Sequence, residues 1–416
     1  MKQLHLLSLV VVMLLAALNA GSGICVNLPS GALMLNADYE AVIPPGRYSR
    51  ISPLGGSGFL ALQYESDGKY RVANARGRVL GDASYDEIYV SGENIVACRG
   101  GKYALFSLTL MPLTGYDYSA IFPSGEHFFA FRSNIWDDGG DILYILDGMG
   151  GETPTNRTLY YTDLVYSEGL VAAMSFQTGR YGYLDEEGVW ALEPVYQYAG
   201  AFNGGLAAAG VDGKMGLIDA RGSWIVSPVF DTLLLGRRYV IASEGGTLFV
   251  YARSADGLMP VYQKSGVHGA DMDRYFAVYT DSYVYLYNAA GNLSTAFSKD
   301  TLLYPALGSS VIACDSNGMF LYDVLSHTMS DFYDHIQPFA AADMYRCAVR
   351  ERGGRYLFGA LSSDGKELIE PKYKSVTAPN ENTLAAETED ELLVFYVSGG
   401  KADLKYSSPL GAEESD

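Results

Sequence analysis

Residues 179–188, Gly-Arg-Tyr-Gly-Tyr-Leu-Asp-Glu-Glu-Gly, recur as a pattern at residues 213–222, Gly-Lys-Met-Gly-Leu-Ile-Asp-Ala-Arg-Gly. Each copy sets a glycine before a short apolar run and closes with Asp-x-x-Gly. Glycine reaches backbone angles that other residues resist, and an Asp side chain hydrogen-bonds the backbone of its own turn. The pattern therefore predicts a short strand with a tight turn on either side.

The same phrase returns in weaker form along most of the chain. Its anchors are Gly31, Gly68, Gly101, Gly140, Gly246, Ser282, Gly318, Gly354 and a partial copy near Asp390. A spacing of about 33 to 39 residues indicates a repeat architecture of roughly ten units. Each unit adds an apolar run ending near proline, an aromatic–polar pair such as Phe230-Asp231, and a small-apolar strand such as residues 206–209.

Composition and period together predict the fold class. The chain has 33 Tyr and 47 Gly, residues typical of strands and turns, and no sustained helical period follows residue 22. We expect an all-β repeat array of short antiparallel strands arranged in propeller-like blades, with an open β-solenoid as the alternative.

The domain boundaries follow from the same array. Residues 23–405 are predicted to form one β-repeat domain of about ten units of ~36 residues, or two sub-rings. The partial unit at residues 390–405 is expected to supply a strand that completes the first unit. Residues 406–416 are predicted to be a disordered acidic tail.

The best-preserved units, residues 179–231, resemble the WG-repeat family. The resemblance rests on Tyr-Gly-Tyr-Leu-Asp-x-x-Gly, Glu-Pro-x-Tyr, Phe-x-x-Gly-Leu-Ala and Gly-Lys-Met-Gly-Leu-Ile-Asp. The tryptophan that gives the family its name is replaced by Tyr181 and Met215, and a shorter match lies at residues 366–373. The resemblance implies a bacterial, β-rich repeat protein, and the family shares no established chemistry.

The N-terminus predicts export. Lys2 precedes an apolar run at residues 6–18, and small residues follow, so residues 1–22 are expected to be a signal peptide. Cys25 invites a lipoprotein interpretation, but Ile24 stands where a lipobox has a small residue. We expect simple cleavage and a secreted or cell-envelope location without membrane insertion, with lipidation or an uncleaved anchor as alternatives.

Charge and cysteine content limit the partners. A net charge of −19 repels phosphate backbones and excludes nucleic acid, although solubility alone also explains the acidity. Cys98, Cys314 and Cys347 lack metal-ligand spacing and occupy small-apolar strand positions, so buried thiols are expected. A disulfide between equivalent strands is the alternative.

An aromatic-rich, irregular unit at residues 122–161 is the candidate binding surface. Its predicted ligand-binding residues are Phe128, Phe129, Phe131 and Trp136, and core packing is the competing explanation for these aromatics. In the same unit, residues 134–141 carry three carboxylates beside two glycines. Their spacing fits a solvated turn better than a calcium loop.

No catalytic motif is recognisable. The histidines are dispersed, and Asp185 and Asp219 recur with the unit, which indicates turn formation and not a single site. We expect neither catalytic residues, metal nor cofactor. The sequence predicts an exported binding or scaffold protein for a protein or glycan ligand at the cell surface. The alternatives are a purely structural spacer, or a glycan-active enzyme with two carboxylates about 5 to 10 Å apart.

Overall fold

The structure is a computed structural model that describes residues 23–133, 140–160 and 164–410. Within these ranges the chain forms forty β-strands and one short 3₁₀ helix, Gly55–Ser57. The strands form ten sheets, which we call blades 1 to 10 in chain order. In the described ranges, no helical segment has the length and apolar character needed to cross a bilayer. The predicted fold class, all-β with propeller-like blades, is confirmed.

The first three blades contain twelve strands. Blade 1 consists of β1 (Ile24–Leu28), β2 (Gly31–Leu35), β3 (Ala41–Pro53), β4 (Phe59–Tyr64) and β5 (Tyr70–Asn74). Blade 2 consists of β6 (Glu87–Ser91), β7 (Asn94–Arg99) and β8 (Lys102–Ser107). Blade 3 consists of β9 (Ala120–Ser124), β10 (His127–Ser133), β11 (Asp141–Leu146) and β12 (Glu152–Leu159).

The next four blades each contain four strands. Blade 4 consists of β13 (Val165–Ser167), β14 (Leu170–Met174), β15 (Tyr181–Leu184) and β16 (Trp190–Tyr196). Blade 5 consists of β17 (Tyr198–Ala199), β18 (Leu206–Val211), β19 (Lys214–Asp219) and β20 (Trp224–Phe230). Blade 6 consists of β21 (Thr232–Leu235), β22 (Tyr239–Glu244), β23 (Thr247–Ser254) and β24 (Gly257–Ser265). Blade 7 consists of β25 (His268–Met272), β26 (Tyr275–Tyr279), β27 (Tyr283–Tyr287) and β28 (Leu293–Ser298).

The last three blades repeat this plan. Blade 8 consists of β29 (Leu302–Pro305), β30 (Ser310–Asp315), β31 (Gly318–Asp323) and β32 (Thr328–Met329). Blade 9 consists of β33 (His335–Pro338), β34 (Met344–Arg350), β35 (Tyr356–Ser362) and β36 (Glu367–Tyr373). Blade 10 consists of β37 (Ser375–Asn380), β38 (Thr383–Glu387), β39 (Glu391–Ser398) and β40 (Lys401–Pro409).

The chain divides into two compact units. The first unit runs up to Val90 and resumes at Leu302, and the second unit is Ser91–Thr301. Within each unit the core consists of apolar side chains from the flat faces of neighbouring blades. In the second unit, for example, Leu192 of blade 4 and Ala207 of blade 5 share one buried cluster.

The glycine that opens the repeated phrase lies in the middle of a blade. Gly213 stands in the turn between the second and third strands of blade 5, and Gly354 has the same place in blade 9. The anchor glycines of the repeated phrase therefore do not mark the start of a blade. A blade instead begins just after the aromatic–polar pair, as β21 does after Phe230-Asp231.

The Asp-x-x-Gly segments close the turn between the third and fourth strands. Asp185 Oδ1 accepts hydrogen bonds from the amides of Glu187 at 3.1 Å and Val189 at 2.8 Å. Asp219 repeats this with the amides of Arg221 and Ser223. The predicted role of these carboxylates as turn formers is confirmed.

An aromatic–polar pair connects blade 4 to blade 5 and blade 5 to blade 6. Its aromatic member is buried, as with Phe230, while its polar member caps the middle turn of the following blade. Asp231 Oδ2 accepts from the amide of Gly245 at 2.8 Å. Gln197 Oε1 accepts from the amide of Gly213 at the same distance.

The first and last blades each consist of their own strands and pack together through side chains. Val26 of blade 1 and Val394 of blade 10 share a buried cluster, and the Tyr39 hydroxyl lies 3.4 Å from Thr383 Oγ1. The prediction that residues 390–405 complete the first unit is wrong, because β39 and β40 pair with each other and β39 pairs with β38.

The predicted tail begins too early. Strand β40 continues to Pro409, and Ser408 pairs with Leu392 of β39. The segment predicted as a tail, residues 406–416, therefore starts inside a strand. Residues 411–416 and the predicted signal peptide, residues 1–22, lie outside the described residues.

None of the cysteines in the described ranges forms a disulfide. Cys98 and Cys347 are buried, as expected of small-apolar strand positions, and Cys314 is half-buried. Cys25 lies in β1 opposite Met34, where burial raises the pKa of its thiol to about 12.

Candidate functional site

The structure places the predicted phenylalanines in the interior. The exposed fractions of Phe128, Phe129 and Phe131 are 4%, 1% and 0%. All three lie on β10, the strand between β9 and β11, and Phe129 and Phe131 belong to the cluster shared by blades 3 and 4. Trp136 lies outside the described residues.

This burial corrects the ligand-binding prediction for the three phenylalanines. Side chains enclosed by protein on both faces of a sheet offer a ligand no surface, so core packing accounts for them. Most of the predicted acidic loop, residues 134–139, is outside the described residues. Its last carboxylate, Asp141, lies at the start of β11 within 3.3 Å of Ser119 Oγ, and burial raises its pKa.

A cleft in the second unit brings exposed apolar side chains together with a rigid polar frame. Its volume is about 330 Å³, and it lies between the first strands of blades 5 and 6. The lining residues are Glu168, Tyr198, Gly200, Ala201, Phe202, Asn203, Ala208, Leu233, Leu234 and Leu235.

The cleft exists because the first strand of blade 5 is very short. Tyr198 and Ala199 pair with β18, and one more bond joins the Gly200 amide to the Ala208 carbonyl at 2.9 Å. The chain then leaves the sheet through Ala201 and Phe202. The small Ala208 side chain leaves the base of the cleft open.

Apolar side chains line both walls. The exposed fractions of Tyr198 and Leu234 are 50% and 53%. Leu233 and Leu235 alternate with Leu234 on β21 and pack into the cluster between blades 5 and 6. These two leucines are half-buried and hold the strand in place, while Leu234 projects from its other face.

A frame of charged groups fixes the backbone at one end of the cleft. Glu168, from the first turn of blade 4, accepts hydrogen bonds from the amides of Gly204 at 2.5 Å and Gly205 at 2.9 Å. Arg253 donates to the carbonyl oxygens of Asn203 and of Gly236, the latter at 2.6 Å. Burial lowers the pKa of Arg253, and its guanidinium joins blades 5 and 6 through backbone carbonyls.

The cleft is lined mainly by apolar side chains. Glu168 is the carboxylate among its lining residues, and its oxygens are engaged by backbone amides. In the described parts of the chain, no group of three or more His, Cys, Asp or Glu side chains could hold a metal ion. Sequence reasoning missed this site, and the run Leu233-Leu234-Leu235 was the signal that could have indicated it.

Two segments match the sequence model of the WG containing repeat, residues 181–214 and 358–390. These two segments are similar to WG repeats. Tyr181-Gly182 and Phe358-Gly359 are the positions at which the repeat is named for Trp-Gly. The resemblance predicted at residues 179–231 is confirmed in its first unit, and the one at 366–373 lies inside the second matched segment.

The WG glycine has a structural reason in this chain. A Cβ on Gly182 would stand 2.5 Å from the Leu192 carbonyl oxygen and 2.8 Å from the Pro194 nitrogen. The register between β15 and β16 shifts at this point, because the proline-bearing fourth strand bulges toward the third. Each matched segment runs from the last two strands of one blade into the first two strands of the next. A fold of this kind suggests a binding or scaffold role.

No curated protein matches the chain. Among solved structures it is similar to a eukaryotic initiation factor, with 11% identity, a TM-score of 0.40, and coverage of 66% of this chain and 84% of that one. It is also similar to AztD from Citrobacter koseri, with 14% identity, a TM-score of 0.31, and coverage of 66% and 91%. A puromycin hydrolase follows with 12% identity, a TM-score of 0.29, and coverage of 69% and 60%. At these values the likenesses say nothing about function.

Proposed function

We propose that this protein is an exported, non-enzymatic binding scaffold whose cleft between blades 5 and 6 takes an apolar segment of a protein partner. The observation that carries the proposal is Tyr198, a large side chain that is 50% exposed in a cleft also lined by the apolar Leu233 and Leu235 of β21. Contiguous exposed apolar surface marks interaction sites, whereas single exposed residues need no explanation.

The rigid frame supports this assignment. Glu168 and Arg253 hold the cleft backbone through hydrogen bonds that span blades 4, 5 and 6. A preformed site loses little conformational entropy when a partner binds. The cleft is therefore suited to receive a partner's side chain without rearrangement.

Charge and the N-terminal pattern complete the proposal. A net charge of −19 favours partners with basic residues beside the apolar contact and disfavours acidic ones. The signal-like pattern at residues 1–22 supports a partner at the cell surface.

The proposal is tested by cross-linking in the host followed by measured affinity. A photoreactive residue at position 198 should trap a specific partner, while the same residue at Tyr304, an exposed tyrosine in the first unit, should not. The purified partner is then titrated against the wild type, Tyr198→Ser and Tyr304→Ser. Loss of one buried aromatic contact predicts about tenfold weaker binding for Tyr198→Ser alone. Equal affinity of the two variants, or trapping only at position 304, would overturn the proposal.

A further inference from the structure

Strand β27 of blade 7 carries tyrosine at every second position. Its sequence is Tyr-Val-Tyr-Leu-Tyr, so Tyr283, Tyr285 and Tyr287 lie on one face of the sheet while Val284 and Leu286 face the other way and are buried. The tyrosine face packs toward blade 6, and Tyr287 lies against the buried cluster shared by the two blades. Toward Tyr283 the same face becomes exposed.

The three rings form a continuous row with a fourth. The ring centroids of Tyr283 and Tyr285 lie 5.8 Å apart, and those of Tyr285 and Tyr287 lie 6.3 Å apart. Tyr262 of blade 6 lies 5.1 Å from Tyr287 and extends the row onto the neighbouring blade. We call these four side chains the tyrosine row.

The row passes from the core to the solvent. At its inner end Tyr287 stacks on the fully buried Phe276, with 14° between the ring planes. At its outer end Tyr283 is 51% exposed. The inner contact fixes the direction of the row, so the outer rings are presented in a defined geometry.

Small neighbours flank the two outer rings, of which Tyr283 is exposed and Tyr285 is half-buried. Across the strand pair, Tyr285 stands opposite Ala296 and Tyr283 opposite Ser298, and both small residues are exposed. A larger residue at either position would cover a ring face. On the blade 6 side, Tyr262 also lines a groove of about 340 Å³ with Phe249, Tyr251, Pro260, Val261 and Gln263.

We propose that the tyrosine row is a binding platform for a neutral oligosaccharide chain. A tyrosine ring offers an apolar face on which the C–H face of a sugar can stack, and a hydroxyl that can hydrogen-bond to sugar hydroxyls. Successive rings about 6 Å apart, within the range of ordinary ring contacts, present a repeating surface to a repeating ligand.

Charge and size select this ligand over others. The net charge of −19 repels acidic polysaccharides, which favours an uncharged chain. A stable protein partner needs an interface of about 1,000 Å² or more, whereas the row is one side chain wide. The inference goes beyond the proposed protein-binding cleft and does not depend on it, because its residues and its ligand are different.

The test is a titration of the purified protein with defined oligosaccharides. The neutral probes are hexamers of α-1,4-glucose, β-1,4-glucose and β-1,4-N-acetylglucosamine, and the acidic probe is a hexamer of galacturonic acid. At least one neutral probe should bind and shift the tyrosine fluorescence, while the acidic probe should bind at least about tenfold more weakly.

Three variants of the row and one control variant locate the site. Tyr283→Ala and Tyr285→Ala should each weaken binding by about tenfold or more, and Tyr285→Trp should retain it because a ring remains. Tyr304→Ala, which removes an exposed tyrosine of the first unit, should bind like the wild type. The unfolding midpoint of Tyr283→Ala should be unchanged because its side chain is largely exposed. Failure of every neutral probe to bind, or equal binding by Tyr283→Ala and Tyr304→Ala, would overturn the inference.

Discussion

A Cβ on Gly359 would stand 2.6 Å from the carbonyl oxygen of Ile369 on the neighbouring strand of blade 9. The same approach occurs between Gly216 and Val226 in blade 5, at 2.4 Å. In both blades the register shifts beside this glycine, where the fourth strand bulges at a proline. The glycine is thus required by backbone proximity, since a side chain there would push two strands apart.

Replacement of this glycine should destabilise the protein. We expect Gly359→Ala to lower the free energy of unfolding by about 1–3 kcal/mol, the usual cost of forcing atoms into a packed region. Denaturant unfolding measures the change. Gly353→Ala is the matched control, because a Cβ there has no neighbour within 4 Å. Equal stability of the two variants would contradict this account of the repeat.

The Lys214–Asp231 pair should make stability depend on acid pH. A hydrogen bond from Lys214 and a second from the Gly245 amide lower the pKa of Asp231. The pair's stabilisation is therefore present above about pH 4, the usual carboxyl pKa, and lost as pH falls through the lower folded value. The melting temperature of Asp231→Asn should fall less steeply than that of the wild type between about pH 7 and about pH 3. Parallel curves for variant and wild type would disprove the coupling.

The buried hydroxyl of Tyr183 should contribute to the contact between blades 4 and 5. It donates to the Gly200 carbonyl at 2.9 Å, and the ring packs against Phe202 with centroids 4.9 Å apart. Tyr183→Phe keeps the ring and leaves the carbonyl unpaired, so we expect a loss of about 1–2 kcal/mol in unfolding free energy. Tyr304→Phe, at an exposed tyrosine, should leave it unchanged. An unchanged free energy of unfolding in Tyr183→Phe would show that the hydroxyl makes no net contribution to stability.

The Cys347 thiol should be unreactive in the folded protein. It is fully buried, and burial raises its pKa to about 12. Alkylation by iodoacetamide requires the thiolate, which is scarce far below the pKa. Peptide mapping after treatment at neutral pH should find Cys347 unmodified in the native chain and modified after unfolding. Half-buried Cys314 serves as the internal comparison, and rapid native labelling of Cys347 would contradict the structure.

The sequence alone predicted the blade but not its limits. Turn residues such as Asp185 accept hydrogen bonds from amides only a few residues away. Their role is therefore local and can be predicted from the sequence. The start of a blade depends on which strands pair with each other in the sheet. The motif at Gly213 lies in the middle hairpin and gives no information on that pairing. The phenylalanines of β10 were misinterpreted for a similar reason, because only the neighbouring blades show that Phe129 and Phe131 are covered.

The cleft was harder still to predict. It depends on β17 ending after Ala199 and on Ala208 being small at the base, which are consequences of packing between blades. The tyrosine row shows an intermediate case. Its alternation is visible in residues 283–287, but the exposure of its rings depends on Ala296 and Ser298 on another strand.

The meeting of the first and last blades has a consequence for how such a chain can evolve. Each of these blades pairs only consecutive strands, so no strand is shared between the two ends. A duplication or deletion of one whole blade would leave every remaining hairpin with its partners, and only side-chain contacts such as those of Tyr39 with Thr383 would have to form anew. Blade number can therefore change by single genetic steps, and sequence drift in one blade need not be matched in a distant one.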